Sequence, residues 1–442
     1  MPFRARFLPA ALAALILFSA CQALPRLNDR RPNFVIILSD DQRFDTMQYM
    51  PETQARIFDQ GVTFTHGYIT TPLCCPSRAS LLTGQYAHHT GVRVNTDPLK
   101  QKTFVDALHR SGYYTGLVGK YLNSWDGEVR PEFDYWVSFF RGESRYFDPY
   151  LNVNGDWSDH SGYISTLLGD YAVDFIWQAA AKPRPFLLLM AANAPHQPAD
   201  PDVPDQDLLA DLAPWRPPSY NEADVADKPV WLQDDLMDAP LIKRVDNFRR
   251  KQILSLFSLD RSIAQVMQAL QDTGELDNTV VIYLSDNGML WGEHRELSKN
   301  SYYEEAVKVP FALRYPPLVP QPFIEPRLVA NIDICPTIYE LAGIPIPAKV
   351  DGLSLAELLQ GGPWREGLLI EGWPPRGIYS GIHTEQYLYV ETRDDRAEFY
   401  DLEKDPFQLQ NAIDDPAYRD IIARLKAQLE SVREPAEAAP PP

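Results

Sequence analysis

The chain has 442 residues, 45% hydrophobic and 23% charged, a balance that excludes a fully disordered polymer. Its 41 Lys and Arg against 60 Asp and Glu leave a formal charge of −19. That argues against nucleic acid as a partner, because phosphate binding needs a concentrated basic surface. Four cysteines, Cys21, Cys74, Cys75 and Cys335, are too few to staple a fold, and two of them are adjacent.

Residues 1–20 combine a short basic start, Arg4 and Arg6, with an apolar run from Phe7 to Phe18. This is the anatomy of a signal peptide and is short for a membrane span. Small residues directly before Cys21 resemble the lipobox of bacterial lipoproteins, in which the cysteine is acylated; cleavage after Ala23 is the competing reading. The expectation is an exported protein: a periplasmic or outer-membrane lipoprotein if bacterial, otherwise secreted. Contact with a membrane would come only through a lipid anchor at Cys21.

Three short apolar runs follow at wide spacing. Phe34–Leu38 ends in Ser39-Asp40-Asp41, Phe186–Met190 leads into Asn193-Ala194-Pro195-His196, and Val280–Leu284 ends in Ser285-Asp286-Asn287. Unbroken apolar runs suit strands buried on both faces of a helix-covered parallel sheet. The apolar periodicity from Arg250 to Gln271 predicts a helix between them, so the fold class is α/β. Pro201–Asp238, rich in Pro and Asp, reads as a surface excursion. Beyond about Gly352 the pattern shifts to β-prone runs such as Tyr387–Val390, then a charged amphipathic stretch, Tyr418–Val432. We therefore expect a catalytic domain over 31–350, a C-terminal subdomain over 351–432 with a small antiparallel sheet and a terminal helix, and a disordered tail over 433–442.

In open α/β sheets, polar functional groups collect beyond the carboxyl ends of the strands. Taken singly, Asp40-Asp41 or Asp286-Asn287 reads as a helix cap or turn. Taken together they bring three carboxylates and an amide to one edge. Converging carboxylates repel unless a cation neutralises them, and an all-oxygen set suits a hard ion, Ca²⁺ or Mg²⁺.

The segment Cys74-Cys75-Pro76-Ser77-Arg78, with Leu82-Thr83-Gly84 downstream, resembles the signature of the sulfatase family. Further similarity lies in Asp40-Asp41, in Gly112–Thr115 with Gly119-Lys120, in Ala194-Pro195-His196-Gln197-Pro198, in Ser285–Gly288 with Lys299, and in Asn331-Ile332-Asp333. The resemblance spans roughly residues 31–415. It implies an alkaline-phosphatase-like fold, a large and mostly parallel mixed sheet flanked by helices. It also implies a sulfatase activity in which Cys74 is converted to Cα-formylglycine by a formylglycine-generating enzyme. On the same resemblance, Asp40, Asp41, Cys74, Asp286 and Asn287 hold the metal. Arg78 holds the formylglycine oxygens, Lys120 and Lys299 neutralise sulfate, and His196 binds the sulfate or protonates the leaving oxygen.

Many arylsulfatases carry a His two residues after the second-signature Lys, where this chain has Leu122. Cys-Cys-Pro-Ser-Arg together with Gly119-Lys120-Tyr121-Leu122-Asn123 looks more like the N-acetylglucosamine-6-sulfatase and heparan-sulfatase branch. That shifts proton donation to His196 or His294. The substrate implied is a sulfated carbohydrate, a 6-O-sulfated amino sugar of the kind met in glycosaminoglycan degradation. The alternatives are a phosphonate or phosphate ester hydrolase of the same superfamily, and a catalytically silent sulfoglycan-binding lipoprotein.

Overall fold

The three apolar runs read as strands become neighbours in one sheet. The computed structural model describes Met1 and residues 31–433; the signal segment, Cys21 and the tail beyond Arg433 lie outside the described residues. Asn33–Ser39 runs parallel to Phe186–Ala191 on one side and to Thr279–Ser285 on the other. Tyr114–Gly119 and then Tyr135–Ser138 extend the parallel array beyond Phe186–Ala191. Beyond Thr279–Ser285 comes Phe311–Arg314, antiparallel, then Val62–Phe64 and Phe323–Glu325. A hairpin, Tyr150–Val153 and Asp156–Asp159, closes the opposite edge. The sheet is thus mixed and mostly parallel, with ten strands among the described residues.

Both faces of the central strands are apolar, which is why no polar alternation showed in the sequence. Phe34, Ile36, Leu38, Leu187 and Leu189 face a core shared with the helices Cys74–Thr83, Phe104–Arg110 and Ile334–Leu341. Val35, Ile37, Leu188 and Met190 face the helices Ile164–Ala180 and Ala239–Asp272. The second of these begins eleven residues before the predicted Arg250. Its side-chain cap is Asp238, which accepts a hydrogen bond from the Leu241 amide at 2.9 Å. Its first turns pack Val245 against Met237, Met289 and Trp291 in a separate small cluster. Trp125, Tyr135 and Trp136 are core residues.

Leu368–Gly372, Tyr379–His383, Tyr387–Thr392 and Glu398–Asp401 form a four-stranded antiparallel sheet. Leu369, Ile382, Tyr389 and Phe399 on one face cover Leu425 and Leu429 of the terminal helix Arg419–Val432. Leu368, Ile370, Leu388 and Tyr400 on the other pack with Tyr68, Tyr302 and Tyr303. Among the described residues no helix is long and apolar enough to cross a membrane.

Candidate active site

Strand register brings the predicted residues together. Asn33 pairs with Thr279 and each step holds through Ser39 with Ser285, so Asp40 and Asp286 leave the sheet side by side. The Asp286 amide donates to the Ser39 carbonyl at 3.0 Å. Asp41 has φ of 67°, a left-handed conformation costly for a non-glycine residue and typical of functional turns. That bend lets consecutive carboxylates serve one point instead of pointing to opposite faces. Oxygens of Asp40, Asp41 and Asp286 all lie within 4.8 Å of one another, and all three residues are buried.

Lys120 follows the strand Tyr114–Gly119, its amide bonded to the Ala191 carbonyl at 2.8 Å, and its Nζ meets Asp40 Oδ2 at 2.5 Å. Lys299 Nζ pairs with Asp41 Oδ1. Arg78 donates through Nε to Asp286 Oδ2 at 2.7 Å and through Nη1 to the Lys120 carbonyl at 3.0 Å. Three carboxylates therefore face three cations, and the formal charges cancel. Burial opposes ionisation of Asp40 and Asp41, but Lys120 and Lys299 respectively hold them below the usual carboxylate range.

Cys74 opens the helix Cys74–Thr83, every residue of which is buried. Its Sγ lies 2.7 Å from Lys299 Nζ and 3.8 Å from Asp40 Oδ1. Burial pushes the thiol up to about 12 despite Lys120 and Lys299, so as a cysteine it stays protonated. Cys75 separates from its neighbour: it belongs to the apolar core, with its Sγ 3.6 Å from Ser124 Oγ. Asn331 pins the helix through Nδ2, donating to Ser77 Oγ at 3.0 Å and to the Ser77 carbonyl at 3.1 Å.

His196 Nδ1 is 2.8 Å from the Gln197 carbonyl. A carbonyl only accepts, so Nδ1 carries hydrogen and Nε2 is left to face Asp41 Oδ2 at 3.9 Å. Sequence reasoning missed Tyr146, whose hydroxyl donates to the His196 carbonyl at 2.6 Å; fifty residues separate the pair and no motif joins them. A cleft of about 740 Å³, lined by Glu143, Arg145, Tyr146, His196 and Gln197 among others, opens beside the cluster.

Not every expected residue joins. Leu122 is packed in the apolar core. His294, a candidate proton donor, is fully buried elsewhere, with its Nδ1 2.7 Å from Glu222 Oε2 and its ring stacked on Tyr303 at 3.7 Å.

Two buried polar atoms in the cluster lack a hydrogen-bond partner: Asn287 Oδ1, an acceptor, and Arg78 Nη2, a donor whose nearest carboxylate is Asp40 Oδ2 in an ion pair at 3.6 Å. An unpaired buried group costs about 1–3 kcal/mol. One orphan suits a cation and the other an anion. The oxygen donor set, with three clustered carboxylates, fits a hard divalent ion.

The Sulfatase family model matches residues 32–344, and a model described as N-sulphoglucosamine sulphohydrolase, C-terminal, matches residues 292–435. The chain is 33% identical over 367 residues to a Drosophila melanogaster extracellular sulfatase SULF-1 homolog, an alignment covering 78% of this chain and 32% of that relative. This chain thus spans about a third of that protein's length. Human N-acetylglucosamine-6-sulfatase is 32% identical over 404 residues, covering 83% of this chain and 72% of the human one. A protein solved in complex with its substrate D-glucosamine-2-N,6-O-disulfate shares the fold, with a TM-score of 0.81 and 23% identity over 91% of this chain and 97% of that one. The family match runs along the whole large sheet, and Cys-Cys-Pro-Ser-Arg opens the helix at the centre of its charged cluster: the chain belongs to the sulfatase family.

Proposed function

We propose that the protein hydrolyses sulfate esters, specifically the 6-O-sulfate of an amino sugar in a sulfated glycan, after a formylglycine-generating enzyme converts Cys74 to Cα-formylglycine. The observation that carries this reading is the position of Cys74 Sγ, 2.7 Å from Lys299 and 3.8 Å from Asp40, where carboxylates and cations converge. The sugar assignment is supported by the N-acetylglucosamine-6-sulfatase relative.

A sulfate ester resists attack because its oxygens repel nucleophiles, so the site must supply positive charge and a held oxygen. Asp40, Asp41, Asp286, Asn287 and residue 74 would hold a divalent ion, Ca²⁺ or Mg²⁺, which supplies positive charge to activate an oxygen nucleophile. Formylglycine at 74, once its aldehyde has added water, would supply two geminal hydroxyls, one as the nucleophile towards sulfur and the other to release sulfate as the aldehyde re-forms. Arg78 orients those hydroxyls through Nη2, which makes no hydrogen bond and lies 3.6 Å from Asp40 Oδ2, and Lys120 and Lys299 neutralise sulfate oxygens. His196 presents Nε2 to the leaving oxygen, and its bonded Nδ1–H fixes the ring. Export through residues 1–20, with a lipid on Cys21, completes the reading; the extracellular designation of the Drosophila relative supports export.

The test pairs mass and activity. Coexpression with a formylglycine-generating enzyme should make the Cys74 peptide lighter by about 18 Da, and the protein should release sulfate from N-acetylglucosamine-6-sulfate. Undiminished release by Cys74→Ala sinks the assignment, and faster hydrolysis of a phosphonate ester in parallel assays replaces the substrate class.

A further inference from the structure

A glycan whose sulfated unit occupies the cluster must leave along the neighbouring surface, and one strip of that surface is built from aromatic rings. Tyr150–Val153 and Asp156–Asp159 form the edge hairpin, turned by Asn154 and Gly155 with φ of 53° and 103°, the conformation of a tight two-residue turn. The register pairs Tyr150 with Asp159 and Asn152 with Trp157. Tyr150 and Trp157 are therefore diagonal neighbours on one face, with centroids 5.4 Å apart and 17° between the ring planes. Trp157 rests on buried Trp125 at 5.9 Å, and Phe140 meets Trp157 edge-on at 6.4 Å. Tyr150 is 50% exposed and Phe140 43%. The guanidinium of exposed Arg141 lies 5.1 Å over the Phe140 ring. Trp157 is partly buried and packed on the core, so Phe140 and Tyr150 supply the exposed apolar surface, and exposed apolar patches mark interaction surfaces.

One segment of chain joins this strip to the cluster. After Phe140 and Arg141, a Cβ on Gly142 would lie 2.9 Å from Lys120 Cε and 3.1 Å from Asn123 Cγ. Residues 143–147 then line the cleft that reaches His196.

We propose that Phe140 and Tyr150, seated on Trp157, form with Arg141 a secondary glycan-binding platform for sugar units beyond the one being desulfated. The apolar face of a pyranose ring packs on an aromatic face, and a guanidinium pairs with a sulfate group. This rests on the reading that the cluster takes a sulfated sugar.

The test titrates Cys74→Ala protein calorimetrically with N-acetylglucosamine-6-sulfate and with a 6-O-sulfated heparan hexasaccharide. The same titrations are made on Cys74→Ala protein that also carries Phe140→Ala and Tyr150→Ala. The hexasaccharide should bind about tenfold more tightly than the monosaccharide, and the two added substitutions should erase that advantage with monosaccharide affinity unchanged. Should the pair of substitutions disturb folding, Tyr150→Ala alone should cost about threefold on the hexasaccharide only. An advantage that survives, or that is absent while the monosaccharide still binds, overturns the platform and leaves the proposed function standing. Failure to bind either sugar overturns the substrate reading and the platform with it. A dimer in sedimentation that the substitutions dissolve gives the strip to a second copy, and also overturns the proposal.

Discussion

Lys120 Nζ lies 2.5 Å from Asp40 Oδ2, with neither side chain exposed to solvent. The two arrive from strands separated by Phe186–Ala191, so the pair clamps three strands at their carboxyl ends. Removing one member of a buried pair leaves an uncompensated charge, so Lys120→Ala should lose about 3–5 kcal/mol in denaturant unfolding. The double variant Lys120→Met/Asp40→Asn should regain most of that stability and none of the sulfate release. A fully stable Lys120→Ala would contradict this.

Because three cations already balance Asp40, Asp41 and Asp286, metal removal should abolish activity without unfolding the chain. Chelation is expected to stop sulfate release while the far-ultraviolet dichroism is retained at 25 °C. Readdition of Ca²⁺ at a hundred times its Kd should stabilise by about 2.7 kcal/mol, and Asp286→Asn should remove that gain. Unfolding on chelation would show that the cations do not balance the carboxylates.

The Tyr146 hydroxyl holds the His196 carbonyl at 2.6 Å and does not itself join the charged cluster. Tyr146→Phe should therefore lower kcat about tenfold through misplacement of the imidazole, with the melting temperature little changed. An unchanged kcat would remove Tyr146 from the positioning of His196.

Burial pushes the Glu398 carboxyl up to about 8, against a 2.5 Å hydrogen bond from Tyr400 and the charge of Lys228; Asp227 and Glu222 add to the rise. Burial likewise takes Glu305 up to about 8 and Glu296 to about 7. Each folded value exceeds the ordinary 4.5. Their contribution is therefore complete below about pH 4.5 and is lost as pH rises towards 7–8. Melting temperature should fall from about pH 5 to pH 8, and Glu398→Gln should flatten that slope. A slope that is identical in Glu398→Gln would refute the assignment.

Where a candidate site residue follows a continuous apolar run, its position was legible: Asp40, Asp286 and His196 each sit just past a strand whose burial on both faces shows in its composition. Cys74 was legible through its motif. What escaped reading depends on contacts between distant segments. Nothing near Tyr146 announces His196, and nothing near Glu222 announces His294. The first turns of Ala239–Asp272 pack on a small separate cluster beneath a charged outer face, so their periodicity was weak. The edge hairpin carries its own signal in Asn154-Gly155, but only the register places Tyr150 and Trp157 on one face.

The cancelling charges of the cluster have a thermodynamic consequence. A divalent cation entering alone leaves two uncompensated positive charges in a buried space, and a sulfate monoester entering alone leaves one negative; together they leave one positive. Each ligand should therefore raise affinity for the other, and by linkage the two factors must be equal. On the proposed function, cation and ester should load as a cooperative pair, and the hold on either should weaken once the other has gone.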